Sequence, residues 1–319
     1  MSILITGGAG YIGSHITESL IDRKYNVIIL DNLKTGHKRL INQKANFIKG
    51  DINNKKLVNS IIKQYNIQTI IHLAAYLNIN EAEKNKLKYW NNNVKGTENL
   101  LSACKKTNIK NFIFSSSCSI YGNITGSVNE RAKPNPQGYY AYTKFKSEEL
   151  IKKYAKKNKY KYAILRYFNV AGASSSGKIG QIKSQGQLIK NIAIQSLKKN
   201  PVIKIFGNNY PTRDGTCIRD YIHVSDLADI HIKGLEYLEN NKKSFILNCG
   251  YGKGYSVQEI VNIFKKIKKN LLVKYQKRRP GDIAQVYSNT KKLNQLLKWN
   301  SKYNDINKII KSAMNWEKK

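Results

Sequence analysis

Short apolar runs alternate with amphipathic stretches along the first half of the chain. The runs are rich in isoleucine, valine and phenylalanine, which favour strands, and the stretches between them repeat apolar positions at helical spacing. We predict strands at Ile3–Thr6, Val27–Leu30, Ala45–Lys49, Thr69–Leu73, Asn111–Ser115 and Ala163–Arg166, and helices at Gly13–Asp22, Lys55–Tyr65, Val94–Thr107 and Tyr140–Asn158. Such alternation predicts βαβ units and an α/β fold, a doubly wound parallel sheet covered by helices on both faces.

The pattern changes after about residue 168. Residues 172–187 are rich in glycine, serine and glutamine and predict a loop over a binding site. Beyond them we predict helices Leu188–Lys198 and Val224–Leu238, and strands Ile203–Phe206 and Phe245–Asn248. The last helix and strand again look like parts of an α/β sheet. We therefore expect a first domain of residues 1–168 that takes back about 222–250, and a smaller, interleaved α/β substrate domain in residues 169–319.

The formal net charge of +36 comes almost entirely from lysines that are spread along the chain. The sequence contains no arginine-rich arm, zinc-finger spacing or aromatic RNA-binding motif. Dispersed lysines bind phosphates without reading bases, so we expect no specific nucleic-acid partner. The charge should instead help to attract an anionic small molecule.

Neither a membrane nor a metal is indicated by the sequence. The strand predicted directly after Met1-Ser2 leaves no room for a signal peptide. No apolar run reaches the roughly 18 residues of a membrane span. The four cysteines, at 104, 118, 217 and 249, show no metal-ligand spacing and are typical of reduced thiols. We expect a cytoplasmic protein without a metal site.

The first predicted strand ends in a glycine-rich turn, 6-TGGAGYIG-13. Gly7, Gly10 and Gly13 lie between a strand and a helix, where glycines let the backbone approach a pyrophosphate bound by the helix N-terminus. Glycine turns also serve tight strand–helix packing. The position at the start of a βαβ unit favours a Rossmann-type dinucleotide site.

Acidic residues close the second and third predicted strands. Asp31 lies about 20 residues after the glycines, where a carboxylate bonds the ribose hydroxyls of NAD. No arginine follows directly to hold the 2′-phosphate of NADP, so NAD is the expected cofactor. A turn cap is the alternative role for Asp31. Asp51 could reach the adenine edge.

The segment 138-GYYAYTKFKSEEL-150 contains two tyrosine–lysine pairs at helical i,i+4 spacing, Tyr140–Lys144 and Tyr142–Lys146. A neighbouring ammonium can make a phenol acidic, so either pair could act as a general base. A second polar group is expected nearby, because 111-NFIFSSS-117 is apolar and then abruptly serine-rich. That change is typical of a central strand that opens into a cleft.

Further motifs are spread over nearly the whole chain. They are HLAA, NNVKGT, FSSSCSIYG, LRYFNVAGA, IFGNNYPTRDGTCIRDYIHVSDLA and RRPGD. Together with the glycine turn, LDNL, GDI and YxxxK, they resemble the motifs of the extended short-chain dehydrogenases/reductases, most closely the UDP-glucose 4-epimerases. The IFGNNYP…RDYIHV span is far more specific than the glycines.

The resemblance selects one of the two tyrosine–lysine pairs. The family pattern has a proline four residues before the tyrosine, a hydroxyl residue just before the lysine and a glutamate four residues after it. Tyr140–Lys144 has Pro136, Thr143 and Glu148 at these places, whereas the other pair matches none of them. The family therefore implies that Tyr140 and Lys144 are the catalytic couple.

The resemblance also implies a chemistry. Tyr140 takes the 4-hydroxyl proton of a UDP-hexose while NAD takes the C4 hydride, and the hydride returns to the other face of the resulting 4-keto sugar. Lys144 holds the nicotinamide ribose and stabilises the phenolate. Ser117 hydrogen-bonds the 4-oxygen. Related dehydratases carry an acid pair just after this serine, and here Cys118 and Ser119 cannot supply one. Simple epimerisation is favoured.

Two sets of binding residues carry over from the family. The cofactor set is Gly7, Gly10, Tyr11, Ile12, Gly13, Asp31, Asn32, Thr35, Gly36, Asp51, Ile52, Leu73, Ala74, Ala75, Leu77, Asn92, Ser117, Tyr140, Lys144 and Phe168. The substrate set is Ser117, Tyr140, Asn169, Gln187, Leu188, Lys204, Phe206, Arg219, Tyr221, Val286, Arg279 and Asp282. Leu77, Ala82 and Gln187 depart from the residues usual in the family.

The function that the resemblance implies is NAD-dependent interconversion of UDP-glucose and UDP-galactose by a homodimer. The alternatives are a 4-epimerase that prefers UDP-N-acetylglucosamine or UDP-glucuronate, and a non-catalytic NAD-sensing protein. In the family, the residue four past the ribose-binding acid helps to wall the sugar pocket. Counting from Asp282 gives Val286, small enough to leave room for an N-acetyl group, while a slip of one residue gives Tyr287.

Overall fold

The apolar runs form a seven-stranded central sheet in the computed structural model, which describes residues 1–184, 186–241, 243–279 and 281–319. The strands are β1 (Ser2–Thr6), β2 (Asn26–Asp31), β3 (Asn46–Lys49), β4 (Thr69–His72), β5 (Asn111–Ser117), β6 (Gly126–Val128), β7 (Lys161–Tyr167), β8 (Asn169–Ala171), β9 (Val202–Phe206), β10 (Ile218–His223), β11 (Phe245–Cys249), β12 (Gly254–Ser256), β13 (Leu272–Gln276) and β14 (Gln285–Ser288). The α-helices are α1 (Tyr11–Asp22), α2 (Lys55–Gln64), α3 (Ile79–Lys84), α4 (Lys86–Tyr89), α5 (Gly96–Ala103), α6 (Tyr139–Asn158), α7 (Leu188–Ser196), α8 (Val224–Asn241), α9 (Val257–Ile267), α10 (Lys291–Leu297) and α11 (Ile306–Glu317).

The central sheet has the strand order β11-β7-β5-β4-β1-β2-β3. The chain starts at β1, runs outward to β3, and then crosses to the other side of β1 to form β4. Ile5 pairs in parallel with Ile29 of β2 and with Ile71 of β4. The order reverses between β1 and β4, which is where doubly wound sheets bind ligands at the carboxyl ends of their strands. The predicted doubly wound α/β fold is confirmed.

Helices α2, α5 and α6 contribute to one hydrophobic cluster with the sheet. Buried Ile61, Leu101 and Ile151 from these helices join strand residues such as Leu4 and Ile70. Burying an aliphatic side chain of this size contributes about 1.5–3 kcal/mol. The catalytic helix predicted from the sequence, α6, is thereby anchored to the sheet by its apolar face.

The chain divides into two compact units that alternate along the sequence. One unit contains Met1–Ile120, Pro134–Arg166 and Ala228–Leu247, and the other contains Tyr121–Lys133, Tyr167–Leu227 and Asn248–Lys319. Residues 121–133, expected in the N-terminal domain, lie in the second unit because β6 pairs with β14, with Gly126 opposite Val286. The predicted return of the chain to the first unit corresponds to most of α8 and β11.

The second unit is built on its own small sheets. Strands β12, β10, β14 and β6 pair in that order, β8 pairs with β10, and β9 pairs in parallel with β13. Helices α7, α9 and α11 pack together through buried side chains such as Ile192, Phe264 and Ile310.

The helix predicted at Val94–Thr107 differs in the structure. Its first part is a π-helical turn, Trp90–Lys95, and the α-helical part ends at Ala103. The carbonyl of Asn93 accepts hydrogen bonds from the hydroxyls of Thr97 (2.6 Å) and Ser147 (3.0 Å), and side-chain bonds of this kind accompany irregular helical turns. The turn buries the Asn92 and Asn93 side chains, a placement that helical periodicity does not predict.

Candidate active site

The turn between β1 and α1 requires glycine for steric reasons. Gly7 has a φ of +77°, and a Cβ there would lie 2.8 Å from the backbone nitrogen of Ala74, at the end of β4. A Cβ on Gly13 would lie 2.3 Å from the Gly7 carbonyl oxygen. Gly10 precedes α1 without any side-chain cap. The turn is therefore packed closely, and it leads directly into α1, whose N-terminal dipole end favours an anion.

The Asp31 carboxylate lies at the end of β2 and is buried. It accepts hydrogen bonds from the backbone N–H groups of Ala9 (3.0 Å) and Leu33 (2.8 Å), so it also serves as the turn cap considered above. A Cβ on Gly36 would lie 2.7 Å from one of its oxygens, so only glycine leaves this side of the carboxylate open. Burial raises the Asp31 pKa, although the two backbone hydrogen bonds lower it.

The Asp51 carboxylate, after β3, is half-buried and well supported. It accepts hydrogen bonds from the Asn32 amide (2.9 Å) and from the backbone and side chain of Asn53 (both 3.0 Å). Burial raises its pKa, but these hydrogen bonds and the Lys34 ammonium outweigh burial and hold the pKa below its ordinary value. Asn32 thus links the carboxyl ends of β2 and β3.

The other predicted cofactor residues of the first unit lie just after its strands, in the first turn of α1 or in the π-helical turn. Leu73, Ala74 and Ala75 follow β4 and are half-buried, whereas Leu77 is 43% exposed. The remaining members are Tyr11 and Ile12 in the first turn of α1, Thr35 after β2, Ile52 after β3 and Asn92 in the π-helical turn. Phe168, also in the predicted cofactor set, belongs to the second unit, where it is buried.

The phenol of Tyr140 and the hydroxyl of Ser117 are brought together by α6 and the end of β5. Both side chains are half-buried and joined by a hydrogen bond. Ser117 Oγ also lies 2.9 Å from Ser119 Oγ and accepts a bond from the Ser119 N–H (3.2 Å). Burial raises the pKa of Tyr140 well above its ordinary value, the Ser117 hydrogen bond lowers it and the nearby Cys118 sulfur raises it. Tyr140 is a neutral phenol in the cofactor-free chain.

The Lys144 ammonium lies one helical turn further along α6 and is 2% exposed. It donates to the Ser115 carbonyl (2.6 Å) and lies 4.8 Å from the centre of the Phe114 ring. Burial lowers its pKa to about 7, although the Glu148 carboxylate raises it. The Lys144 pKa therefore lies near neutral pH, unlike that of an exposed lysine.

The second tyrosine–lysine pair lies on the outer face of α6. Tyr142 is 37% exposed and stacks on Trp90, with ring centres 6.2 Å apart. The Lys146 ammonium donates to the Glu149 carboxylate (2.8 Å), another surface group. The structure thus brings Tyr140, but not Tyr142, beside Ser117.

A buried ionic network that sequence reasoning did not assign lies next to Lys144. Glu148 is fully buried and pairs with Arg166 of β7 (2.7 Å), which is 2% exposed. Ser116 donates to the same carboxylate (2.6 Å). Glu148 was part of a family pattern, but the sequence contains nothing that pairs it with an arginine 18 residues away.

Four predicted substrate residues of the second unit line one cavity. Asn169, Gln187, Leu188 and Tyr221 lie in its wall. Asn169 and Tyr221 are opposite each other where β8 pairs with β10, while Gln187 precedes the first turn of α7.

Residues near the end of the chain, which the sequence did not predict, complete the same wall. Trp316 donates to the Gln181 carbonyl (2.8 Å), and Glu317 forms an ion pair with Lys190. Lys190 is three residues after Gln187, but its partner is more than 100 residues distant and no sequence spacing links them.

A second cluster in this unit contains both predicted phosphate-binding arginines. Asp282 Oδ2 accepts a bond from Arg279 Nε (3.0 Å), and Asp282 Oδ1 lies 3.9 Å from an Arg219 nitrogen. The Arg279 guanidinium lies 4.8 Å from the centre of the Phe206 ring, at the end of β9. Lys204, on the same strand, is exposed. Pro280 of the RRPGD motif lies outside the described residues.

The register of β14 shows on which face of the sheet Val286 and Tyr287 lie. Val286 is opposite Arg219 in the parallel pairing of β14 with β10, so the two side chains share a face of that sheet. Val286 is 7% exposed. Tyr287 lies on the other face, where its ring is close to Gly254 of β12. The register places valine, not tyrosine, on the side of Arg219.

Neither a metal site nor a membrane-spanning helix is found among the described residues. Among the described residues, no group of three or more histidine, cysteine or acidic side chains is arranged to hold a metal ion. No helix in the described part of the chain is long and apolar enough to span a membrane.

The fold and the glycine turn define a dinucleotide-binding α/β protein of the Rossmann type. Residues 3–250 match the NAD dependent epimerase/dehydratase family, and the chain belongs to this family. A UDP-glucose 4-epimerase of Lactobacillus helveticus is 38% identical over 322 aligned residues, covering 100% of this chain and 97% of the relative.

Solved structures give the same picture. UDP-glucose 4-epimerase from Bifidobacterium longum, crystallised with NAD+ and UDP, is 30% identical with a TM-score of 0.92 and covers 100% of this chain and 98% of its own. The UDP-Glc/GlcNAc 4-epimerase of Campylobacter jejuni is 38% identical with a TM-score of 0.87, and 99% of each chain is covered.

Proposed function

We propose that this protein is an NAD-dependent isomerase that interconverts UDP-glucose and UDP-galactose. The observation that carries the proposal is the half-buried Tyr140 phenol, hydrogen-bonded to Ser117, with the poised Lys144 one turn further along the same helix. Full-length relatives named UDP-glucose 4-epimerase support it. These relatives do not favour the alternative of a non-catalytic NAD sensor. The arrangement of Tyr140 beside Ser117 also argues against a sensor, because a sensor needs no general base.

The residues of the first unit fit NAD. The glycines of the Gly7–Gly13 turn put no side chain between the backbone and a pyrophosphate, and the dipole at the N-terminus of α1 favours the negative charge. Asp31 holds a carboxylate at the end of β2 for the ribose hydroxyls. The protein's positive charge would aid capture of both anionic ligands. Bound NAD supplies a reversible hydride acceptor for C4 of the sugar.

The chain's own residues then move the proton. Tyr140 accepts the proton of the 4-hydroxyl and later returns it to the 4-oxygen, so it must lose its own proton readily. Burial opposes this, whereas the Ser117 hydrogen bond favours the phenolate. A charged Lys144 would favour the phenolate as well. Ser117 orients the 4-oxygen toward the phenol. The reaction needs no acid–base group at C5 or C6, consistent with Cys118 and Ser119 after Ser117.

The second unit would bind the UDP part of the substrate. Arg219 and Arg279 share one carboxylate, that of Asp282, and their forked guanidinium groups suit diphosphate oxygens. If the two arginines bound the substrate diphosphate in place of Asp282, the carboxylate would be free to bind the uridine ribose. The exposed end of β9 with Phe206 offers an edge and a ring for the uracil. Asn169, Gln187 and Leu188, in the cavity wall, would contact the sugar and diphosphate.

We expect the enzyme to accept UDP-N-acetylglucosamine as well. Val286 shares a face with Arg219, and a valine leaves more room near the sugar than a tyrosine. The similarity to a UDP-Glc/GlcNAc 4-epimerase supports this. Val286→Tyr should lower kcat/KM for the N-acetyl sugar about 10-fold or more, the range typical of pocket-size discrimination, and leave UDP-glucose turnover nearly unchanged. Absence of N-acetyl activity in the unaltered protein would contradict the assignment of Val286.

We further expect a homodimer formed through α5 and α6. Tyr142 is exposed and stacks on Trp90, and aromatic side chains of this kind are enriched in protein interfaces. Light scattering should give twice the monomer mass, and Tyr142→Glu should lower it. Tyr275→Glu, at an exposed tyrosine of the second unit, is the matched control. A monomeric unaltered protein at micromolar concentration would contradict the expectation.

One assay tests the proposed function. The purified protein is incubated with NAD and separately with UDP-glucose, UDP-galactose, UDP-N-acetylglucosamine and UDP-glucuronate, and C4 epimers are identified by proton NMR. We expect UDP-glucose and UDP-galactose to reach the same equilibrium mixture from either side. Tyr140→Phe is the inactive control. Failure to form any C4 epimer, with NAD binding intact, would contradict the proposal.

A further inference from the structure

A bidentate ion pair is buried between α6 and the central sheet. The Glu148 carboxylate accepts from Arg166 at Nε (3.0 Å) and NH2 (2.7 Å) and from the Ser116 hydroxyl (2.6 Å). Glu148 is 0% exposed, and Lys152 approaches it at 3.9 Å. Three short hydrogen bonds hold this carboxylate in one place, because each partner belongs to β5 or β7.

Stability alone is a weak reason for such a pair. Removing two charges from water is expensive, and a well-packed apolar pair of similar volume is often at least as stable. A buried ion pair of this kind can therefore have a role besides stability. Here the nearest candidate lies one helical turn earlier on the same face of α6, at Lys144.

Lys144 is a buried ammonium that makes no salt bridge among the described residues. Its hydrogen bond goes to the Ser115 carbonyl and its other neighbour is the Phe114 ring. Burial lowers its pKa to about 7, and the Glu148 carboxylate raises it. Without that carboxylate, the ammonium would have only a carbonyl dipole and a ring face to offset its desolvation.

The other titratable groups around Lys144 do not supply a negative charge. His72, on β4, stays neutral, because burial and the Lys144 charge together lower its pKa to about 3. Tyr140, one turn earlier on α6, is a neutral phenol whose pKa is raised by burial. Arg166, on β7, carries a positive charge. Glu148 is thus the one anionic neighbour identified within the described chain.

We propose that Glu148 is a positioning residue whose carboxylate, held in place by Arg166 and Ser116, favours the protonated form of the Lys144 side chain. Glu148 lies one turn after Lys144 on the same face of α6 and acts on it through space, since the hydrogen bond of the ammonium goes to the Ser115 carbonyl. The consequence for turnover rests on the proposed function, in which a charged Lys144 favours the Tyr140 phenolate. The effect of Glu148 on the charge of Lys144 does not depend on the proposed function.

The test measures Lys144 directly in the cofactor-free protein. Lysine is labelled with 13C at Cε, and the Cε resonances are followed from pH 5.5 to 9.5, with the Lys144 signal assigned by its loss in Lys144→Met. Exposed lysines titrate near pH 10.4, so a titration near neutrality stands apart. Glu148→Gln should move it to lower pH by about one unit or more, the shift typical of a lost opposite charge.

Two variants control for structure. Glu149→Gln removes the exposed neighbour that pairs with Lys146 and should leave the Lys144 titration unchanged. Glu148→Gln leaves Arg166 buried without its partner and could fail to fold. Glu148→Gln/Arg166→Met removes both charges, and we expect it to move the titration the same way by a smaller amount, since repulsion from Arg166 is lost as well. An unchanged Lys144 titration in a folded Glu148 variant would overturn the proposal.

The pH profile of kcat/KM for UDP-glucose separates this inference from the proposed function. If both hold, the alkaline limb of the profile moves with the Lys144 titration in Glu148→Gln. A titration that moves while the alkaline limb stays in place supports the positioning role and contradicts the part assigned to Lys144 in catalysis. Conversely, loss of epimerase activity with an unmoved titration overturns the positioning role and leaves the function intact.

Discussion

Replacing Tyr140 by phenylalanine removes one oxygen atom from the centre of the candidate site. That oxygen is hydrogen-bonded to Ser117, and a hydrogen bond of this kind contributes about 0.5–1.5 kcal/mol to stability. Loss of a general base commonly lowers the rate about 10²–10⁴-fold, which corresponds to about 2.7–5.4 kcal/mol in the activation barrier. The effect on the rate should therefore exceed the effect on folding severalfold.

The two tyrosines of α6 provide a matched pair of variants. Tyr142→Phe makes the same chemical change two residues away, on a ring that is 37% exposed and stacked on Trp90. We expect this variant to keep near-normal activity, because the stacking ring remains. Steady-state kinetics with UDP-galactose, thermal melting and NAD binding by calorimetry distinguish the two variants.

The expected result is specific. Tyr140→Phe should bind NAD and melt within a few degrees of the unaltered protein, yet lose at least about 99% of its activity. An active Tyr140→Phe together with a crippled Tyr142→Phe would show that the wrong helix face had been chosen. If both variants are active, neither phenol is the base.

Three further outcomes follow from the structure. Asp31→Ser should weaken NAD binding about tenfold or more, because a hydrogen bond to a charged group contributes about 1.5–3 kcal/mol; calorimetry should show no such loss for Asp22→Ser, an exposed aspartate. Burial lowers the His72 pKa to about 3, so below pH 6.5 only the unfolded chain takes up this proton and the free energy of unfolding should fall by up to about 1.4 kcal/mol per pH unit. Urea midpoints measured between pH 7 and 5 should fall less steeply in His72→Gln, and equal slopes would exclude this contribution. Glu317→Gln breaks the ion pair with Lys190 in the cavity wall and should raise the KM for UDP-glucose while NAD affinity stays constant; an unchanged KM would separate that pair from substrate binding.

The elements that sequence predicts well are those in which one physical preference dominates. β1 and the glycine turn are an example, since burial stabilises the apolar run Ile3–Leu4–Ile5 and Gly7 takes a positive φ that glycine allows. The doubly wound order follows from the repeated strand–helix alternation. The predicted ends of these strands differ from the observed ends by only one or two residues, as at β5, which extends to Ser117.

The features that sequence did not predict depend on partners far away in the chain. The π-helical turn buries the Asn93 side chain, whose amide bonds the backbone of Tyr76 and the Thr143 hydroxyl. The ion pairs that involve Arg166 and Glu317 likewise form only after the fold brings distant segments together. Local periodicity carries no information about such contacts.

The alternation of the two units also constrains how the protein is made. Strand β11, which pairs with β7 at the edge of the central sheet, follows β7 by about 80 residues. At a synthesis rate of about 5–20 residues per second, the edge of β7 waits roughly 4–16 s for its neighbour on the ribosome. An unpaired edge strand is a template for association with other chains. Nascent chains stalled between β7 and β11 should therefore be the species that recruits chaperones in the cell.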